Sequence, residues 1–308
     1  MTRDCPSGSD EARTILADAS RLGREIPSLV SLLDSFTPLL VEQAAIRESA
    51  PGWTGDGPGF DPELFCQGKH LLAETGFQDV SAQIPDAARR LFPIMARCFS
   101  ALGEEIGALL QALSSGALSP EALTDAAFAP DGTALAGISP EIVGFAAREV
   151  VRPFVKRQAA DLLPLVKDLP WRRTVCPICG GPPHFSRLLR IRDDSEYITG
   201  QGGPRFLRCA VCATEWRHKR VSCPRCGNEE PTRLSFLYTE ARPFERVDVC
   251  EACKTSILCL DATEMIDVPD PDVSALAMLP LEILARDRGY HPFAAHPWSP
   301  IPDGPPED

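Results

Sequence analysis

The chain has 308 residues, of which 44% are hydrophobic and 24% charged, with a formal net charge of −12. This is ordinary globular material, long enough for two or three domains, and the acidic balance weighs against a nucleic-acid surface. No apolar stretch follows Arg3 and no later run approaches ~18 uncharged apolar residues, so neither a signal peptide nor a membrane span is expected, and the location expected is cytoplasmic.

From about Ser9 to Asp168 the apolar residues recur at helical spacing, with breaks at Pro51 to Pro62 and at Ser114 to Pro120. The spacing predicts a long helix from near Asp86 to Leu113, with Pro93 as a kink. Ser119-Pro120-Glu121 and Ser139-Pro140-Glu141 each place an N-cap serine, a first-turn proline and an acidic residue at a helix start. Residues 1–170 thus read as an all-helical domain. Val273 to Arg286 reads as one more amphipathic helix. His291 to Asp308, rich in proline and acidic residues, reads as loose.

Between these helical parts lie four Cys-x-x-Cys pairs, Cys176/Cys179, Cys209/Cys212, Cys223/Cys226 and Cys250/Cys253. A two-residue gap lets both sulfurs of a pair face one ion from a tight turn, and two pairs complete a tetrahedron around zinc or iron. In a reducing compartment, paired spacing favours metal ligation over disulfides for a chain with 12 cysteines. The eight paired cysteines are therefore the candidate ligands of two four-thiolate sites.

An internal repeat bears on which pairs combine. The first and third pairs read Cys-Pro-x-Cys-Gly, whereas each of the second and fourth has an arginine four residues before it (Arg205, Arg246) and a threonine two residues after (Thr214, Thr255). The order is A-B-A-B, with strand-like runs from Phe185 to Ile191 and from Leu234 to Tyr238 after the A pairs. Sequential pairing gives each copy its own metal and is preferred to interleaved or nested pairing. Two modules follow, residues 171–218 and 219–263, with residues 264–308 forming a C-terminal helix and tail. A unit of about 45 residues buries too little apolar surface to hold itself together, whereas structural zinc stabilises small peptides by about 10–16 kcal/mol.

Residues 172–262 carry 15 Lys+Arg against 11 Asp+Glu, but eight thiolates with two divalent ions would bring this basic excess close to neutral. That argues against a zinc-ribbon nucleic-acid module, although Arg217-His218-Lys219-Arg220 beside Trp216 has the basic-aromatic look of one; a solvated turn with Trp216 packed on the knuckle is the plainer alternative. A thioredoxin-like role needs a βαβ setting that none of the pairs has, while one-electron transfer by an iron site stays open. Cys259, Cys66 and Cys98 read as buried core thiols, Cys5 as part of a frayed terminus, and His70 as a helix-surface residue. His184 and His218 flank the first unit without being needed as ligands. No Ser/His/Asp constellation, phosphate loop or paired-carboxylate site emerges, which points away from an enzyme.

The succession of a helical half, Cys-Pro-x-Cys-Gly, the string Arg205-Phe206-Leu207-Arg208-Cys209-Ala210-Val211-Cys212-Ala213-Thr214-Glu215-Trp216, Cys-Pro-Arg-Cys-Gly and a final Cys-x-x-Cys resembles the FdhE family of formate dehydrogenase accessory proteins. The resemblance implies an α+β multi-domain architecture, an all-α N-terminal domain followed by two tandem rubredoxin-like or zinc-ribbon modules and a C-terminal helix. It implies a cytoplasmic assembly factor that binds the catalytic subunit of formate dehydrogenase before export and does not itself oxidise formate. Rubredoxin-like iron, with zinc as the alternative, would be held by Cys176, Cys179, Cys209, Cys212, Cys223, Cys226, Cys250 and Cys253. Homo-oligomerisation is left open.

Overall fold

The structure, a computed structural model, describes residues 8–129, 132–190 and 203–296. Seven helices come first: α1 (Gly8–Glu25), α2 (Val30–Ser49), α3 (Pro62–Cys66), α4 (Ile84–Cys98), α5 (Gly103–Ser115), α6 (Pro120–Ala126) and α7 (Pro140–Leu162). Six strands follow: β1 (Pro183–Leu189), β2 (Arg205–Cys209), β3 (Glu215–His218), β4 (Leu234–Thr239), β5 (Arg242–Cys250) and β6 (Thr255–Ala262). The chain then returns to helix in α8 (Pro271–Ala277) and α9 (Leu279–Asp287) and ends its described part after a short strand β7 (His291–Pro292). This is the α+β succession expected from the sequence.

The helix boundaries differ from expectation at two places, each for a local reason. The helix predicted from Asp86 to Leu113 runs through Pro93 and instead breaks after Cys98, where Phe99 leaves helical geometry at φ −119° and ψ 68°. Its ring is wedged edge-on between Phe36 and Phe145, with centroids 5.1 and 4.8 Å away, so core packing turns the chain. The helix predicted over Val273 to Arg286 is split at Met278, because Pro280 lacks the N–H that would continue it. Of the two cap serines, Ser119 accepts from the Ala122 amide at 3.1 Å, whereas Ser139 holds the N-cap position without a capping hydrogen bond.

One helical stretch, residues 27–49, is long and apolar enough to cross a membrane, with a mean hydropathy of 1.3, but half of it is buried in the protein. Its Leu33, Phe36, Leu40 and Ala44 pack with α1, α8, α9 and the sheet, and Leu39 and Ile46 join the core of α4 to α7.

The strands form one sheet in the order β3-β2-β1-β6-β5-β4, with β7 beside β6. Within each Cys-bearing ribbon, β1-β2-β3 and β4-β5-β6, neighbours are antiparallel. The two ribbons join through a parallel pairing of β1 with β6, Phe185 opposite Leu258 and Leu189 opposite Ala262. One face of the joined sheet presents Phe185, Val247, Val249, Leu258 and Leu260 to α1, α2, α8 and α9. The other presents Leu207 and Ile257 to a second core built with Phe65, Leu71, Leu72 and the end of α7. Neither Cys-bearing ribbon therefore has a core of its own.

A buried charge cluster fixes this arrangement. Asp272, at 4% exposure on α8, accepts from Lys156 Nζ at 2.7 Å, Arg208 Nη2 at 3.1 Å and Arg152 Nη2 at 3.4 Å. Burial pushes the Asp272 carboxyl up, but Arg208, Lys156 and Arg152 outweigh it and hold the group well below the usual carboxylate range. Asp272→Asn removes the anion of Lys156 and the shared one of Arg152 and Arg208, which keep only Glu149 and Glu215, and is expected to destabilise the fold by about 3–5 kcal/mol in urea titration, against about 0.5 kcal/mol or less for the exposed Asp287→Asn.

Beside that cluster, His184 and His296 stack with ring centroids 4.4 Å apart, and His296 Nε2 lies 3.1 Å from the His184 carbonyl. The start of the tail, read as loose from sequence, is thus held against the sheet through residue 296; residues 297–308 lie outside the described residues. Burial pushes the His184 imidazole well below its ordinary pKa and His296 down to about 3. Histidines that are neutral in the folded chain and charged in the unfolded one contribute fully above pH ~6.5 and lose that contribution as pH falls, about 2 kcal/mol for His296 between pH 7 and 5, with His184 acting in the same direction. Asp270, pushed up to about 6 by burial and by Asp272, acts in the opposite sense and restores about 1 kcal/mol. The expected outcome is a net loss of stability on acidification over that window, with the His296 imidazole taking up no proton above pH 5 by NMR.

Candidate metal centres

All four Cys-x-x-Cys turns have the same backbone. The residue after the second cysteine of each adopts a left-handed conformation: Gly180 (φ 74°), Ala213 (φ 59°), Gly227 (φ 72°) and Lys254 (φ 55°). The turn is closed by hydrogen bonds such as Gly180 N to Cys176 O at 3.0 Å, Ala213 N to Cys209 O at 3.1 Å and Gly227 N to Cys223 O at 2.9 Å. Main-chain amides also point at sulfur, Val211 N to Cys209 Sγ at 3.3 Å and Arg225 N to Cys223 Sγ at 3.4 Å, an orientation that favours thiolate.

Each pair of turns brings four sulfurs together. Cys176, Cys179, Cys209 and Cys212 form one cluster and Cys223, Cys226, Cys250 and Cys253 the other, every sulfur within 4.8 Å of the rest of its group. Sulfur–sulfur distances of 3.4–3.5 Å in the first and 3.6–3.7 Å in the second exceed a disulfide bond by more than 1 Å and approach the edge of about 3.8 Å of a tetrahedron with metal–sulfur bonds of ~2.3 Å. Its own burial and then the neighbouring thiols push Cys176 well above its usual pKa; at Cys253 burial is outweighed by hydrogen bonds, those of Thr255 first, which bring it down to about 7. Four crowded thiolates need a central cation to offset their repulsion. The donor set therefore fits a tetrahedral ion, and the two clusters can each hold one. The grouping is first with second and third with fourth turn.

The clusters are chemically unequal. In the first, Cys176, Cys209 and Cys212 are buried and Cys179 half-buried; in the second, Cys226 is exposed and Cys253 half-buried. The first is covered by the helical half: Leu71 N bonds Pro177 O at 2.8 Å and Leu72 N bonds Ile178 O at 2.9 Å, so a loop after α3 docks main chain to main chain on the first turn. His70 sits in that loop, not on a helix, with its ring over the turn; a Cβ on Gly180 would come within 2.6 Å of it. Gly181 is equally constrained, since a Cβ there would stand 2.9 Å from Cys209 Sγ. Sequence reading missed both positions, and the Gly180-Gly181 doublet was the only signal for them.

The remaining candidates fall outside the clusters. Trp216 is 5% exposed in the core beneath the first cluster, its indole N–H donating to Arg173 O at 3.1 Å, as in the plainer alternative for that residue. His218 meets Ser222 Oγ at 3.2 Å. Cys259 is buried in β6 as expected, Cys98 is half-buried and donates to Ser35 O at 2.9 Å, and Cys66 is exposed at the end of α3, contrary to the core position expected. Cys5 lies outside the described residues. The paired arginines of the repeat converge: Arg205 and Arg246 both bind Asp248, at 3.0 and 2.9 Å.

On zinc loading, Cys176→Ser and Cys226→Ser should each lower the metal content from two ions to one per chain. Only Cys176→Ser should expose the Leu71 and Leu72 amides, by at least ~10-fold in hydrogen exchange, because only the first cluster carries the helical loop.

Known proteins agree with this geometry. The family profile described as FdhE, central domain, matches residues 175–220. The chain is similar to the FdhE homolog of Aquifex aeolicus, 29% identical over 120 residues covering 39% of this chain and 40% of that protein, and to the homolog of Pseudomonas aeruginosa, 32% identical over 126 residues covering 38% and 37%. The matched stretch thus spans well under half of these relatives. Over the whole molecule the fold is that of the crystal structure of the FdhE protein from Pseudomonas aeruginosa, with a TM-score of 0.55, 18% identity, and coverage of 93% of this chain and 94% of that one. The central segment is thus similar to that of FdhE proteins, and the overall fold is that of an FdhE protein.

Proposed function

We propose that this protein is a formate dehydrogenase accessory protein, a cytoplasmic assembly factor that binds the catalytic subunit during maturation and before export. The observation that carries the reading is the pair of four-cysteine clusters set in an FdhE fold. In this reading Cys176, Cys179, Cys209 and Cys212 ligate one metal and Cys223, Cys226, Cys250 and Cys253 another, within modules spanning residues 171–218 and 219–263. Iron and zinc both suit four thiolates, and the family resemblance favours iron. The protein acts by binding rather than by catalysis.

The unequal burial of the clusters gives the two metals different tasks. The first, enclosed between the ribbon and the helical half, is structural. The second, with Cys226 exposed, is open to oxidants, and loss of its ion on oxidation would remove local structure and couple client binding to redox state. Protein prepared without oxygen should capture the catalytic subunit of formate dehydrogenase in a pull-down, and oxidised protein lacking the second ion should capture at least ~10-fold less. Equal capture by both removes the redox role; no capture by either removes the assembly role. Metal analysis with a visible spectrum of the same anaerobic sample distinguishes a coloured ferric tetrathiolate from colourless zinc.

A further inference from the structure

The space between helical half and ribbons is filled by the core that joins Leu71, Leu72 and Leu162 to Leu207 and Ile257. Open space lies elsewhere. A cavity of about 280 Å³ occupies the uncovered face of the second ribbon, walled by Phe236, Val221, Arg205, Arg220, Arg246 and Asp248 and closed at one end by Cys223 and Cys250 of the second cluster. Its outer rim is β4, one of the two edges of the sheet.

That edge is unusual. Sheet edges are normally blunted by charge, proline or shortness. The other edge, β3, has four residues, among them Glu215, Arg217 and His218, with Trp216 turned inward. By contrast, β4 has six residues, Leu-Ser-Phe-Leu-Tyr-Thr, with no charge and no proline. Phe236 and Tyr238 are 51% and 50% exposed, and Val221 across the cavity is 51% exposed. An uncharged, aromatic edge, unpaired among the described residues and beside a cavity, offers main-chain hydrogen bonds and side-chain pockets together.

Charge specifies the occupant. The cavity holds three arginines and one carboxylate, Asp248, which Arg205 and Arg246 share, so positive charge is in excess and Arg220 is not paired with Asp248. Arg246 lies over the Phe236 ring at 4.9 Å and Arg220 is exposed at the rim. The geometry points to a peptide-binding site in which an extended, acidic segment of a partner protein adds as a strand to β4, its carboxylates meeting Arg220 and Arg246 and its apolar side chains meeting Phe236 and Val221. Single-stranded nucleic acid fits less well: the nearby Trp216 is buried and so provides no stacking platform, and Lys219 of the same basic run is paired with Glu229. Because Cys223 and Cys250 close the cavity, its shape depends on the second cluster. The site rests on the proposed function only for which protein supplies the strand.

The test uses the full metal-loaded chain and two probes. The first is a peptide array tiling the formate dehydrogenase catalytic subunit. The second is a soluble eight-residue peptide of alternating Glu and Val, compared with its Lys-Val counterpart and with a ten-nucleotide oligo-dT. Binding of acidic segments, amide shifts confined to β4 and the cavity, and at least ~10-fold weaker binding by Phe236→Lys and Arg220→Glu are expected, with Arg217→Glu on the opposite edge as a control that binds normally. Two metals per chain and an unchanged circular dichroism spectrum show that the variants are folded. Preference for the Lys-Val peptide or the oligonucleotide, no binding of acidic peptide, or equal binding by the variants overturns the inference. Capture of the intact catalytic subunit is scored separately: intact capture with indifferent variants sinks this site and leaves the assembly role standing. If the subunit is not captured but β4 still binds the Glu-Val peptide, the assembly role fails and this site stands.

Discussion

Asp272 receives three cations from two different parts of the chain, Arg152 and Lys156 of α7 and Arg208 of β2, while itself sitting on α8. Burying four charged groups is costly unless each is paired, and here each cation is aimed at one carboxylate. The consequence is positional. The helical half, the first ribbon and the C-terminal helices can bury these groups only in one mutual arrangement, so the cluster specifies how three segments dock. Arg208 immediately precedes the ligand candidate Cys209, so the same contact that docks the helices also anchors the strand leading into the first cluster. Glu149, beside Arg152, extends the network to Gln43 of α2 at 2.9 Å.

Around that anchor, a duplicated unit has been used asymmetrically. The two ribbons share turn geometry, left-handed residues and paired arginines, and both pack on helices, yet the first cluster is enclosed against the helical half while the second has Cys226 exposed. Asp248 marks the seam, since the equivalent arginines of both copies converge on it. Joining also explains how so small a ribbon persists: its apolar residues are completed by helices from both ends of the chain. Metal binding would then add to a sheet that already has partners, which differs from a ribbon that depends on its ion alone.

Sequence carried the local chemistry well. Cys-x-x-Cys spacing defined the turns, the A-B-A-B order foretold which cysteines group together, and proline with serine marked the starts of α6 and α7. What was not legible depended on contacts distant in sequence. Nothing in Gly68-Lys69-His70-Leu71 indicates that this loop docks on a turn more than a hundred residues away, because the docking is made by main-chain groups that every residue has. The break after Cys98 is set by Phe36 and Phe145, which no local window around Phe99 contains. Likewise a parallel pairing of β1 with β6 leaves no mark in either strand, since both read only as apolar runs.

The asymmetry of the clusters bears on how such a protein would hold a client and then release it. A single rigid surface would bind with one affinity whatever the state of the cell. Here the enclosed cluster keeps the helical half and the first ribbon assembled, while the exposed one forms the end wall of the open cavity under β4. Loss of the outer ion would therefore alter the cavity without dismantling the fold that Asp272 holds, because Arg152, Lys156 and Arg208 all lie outside the second ribbon. In the proposed function, separation of an enclosed site from an exposed one would give the duplication a use that two equivalent sites would lack.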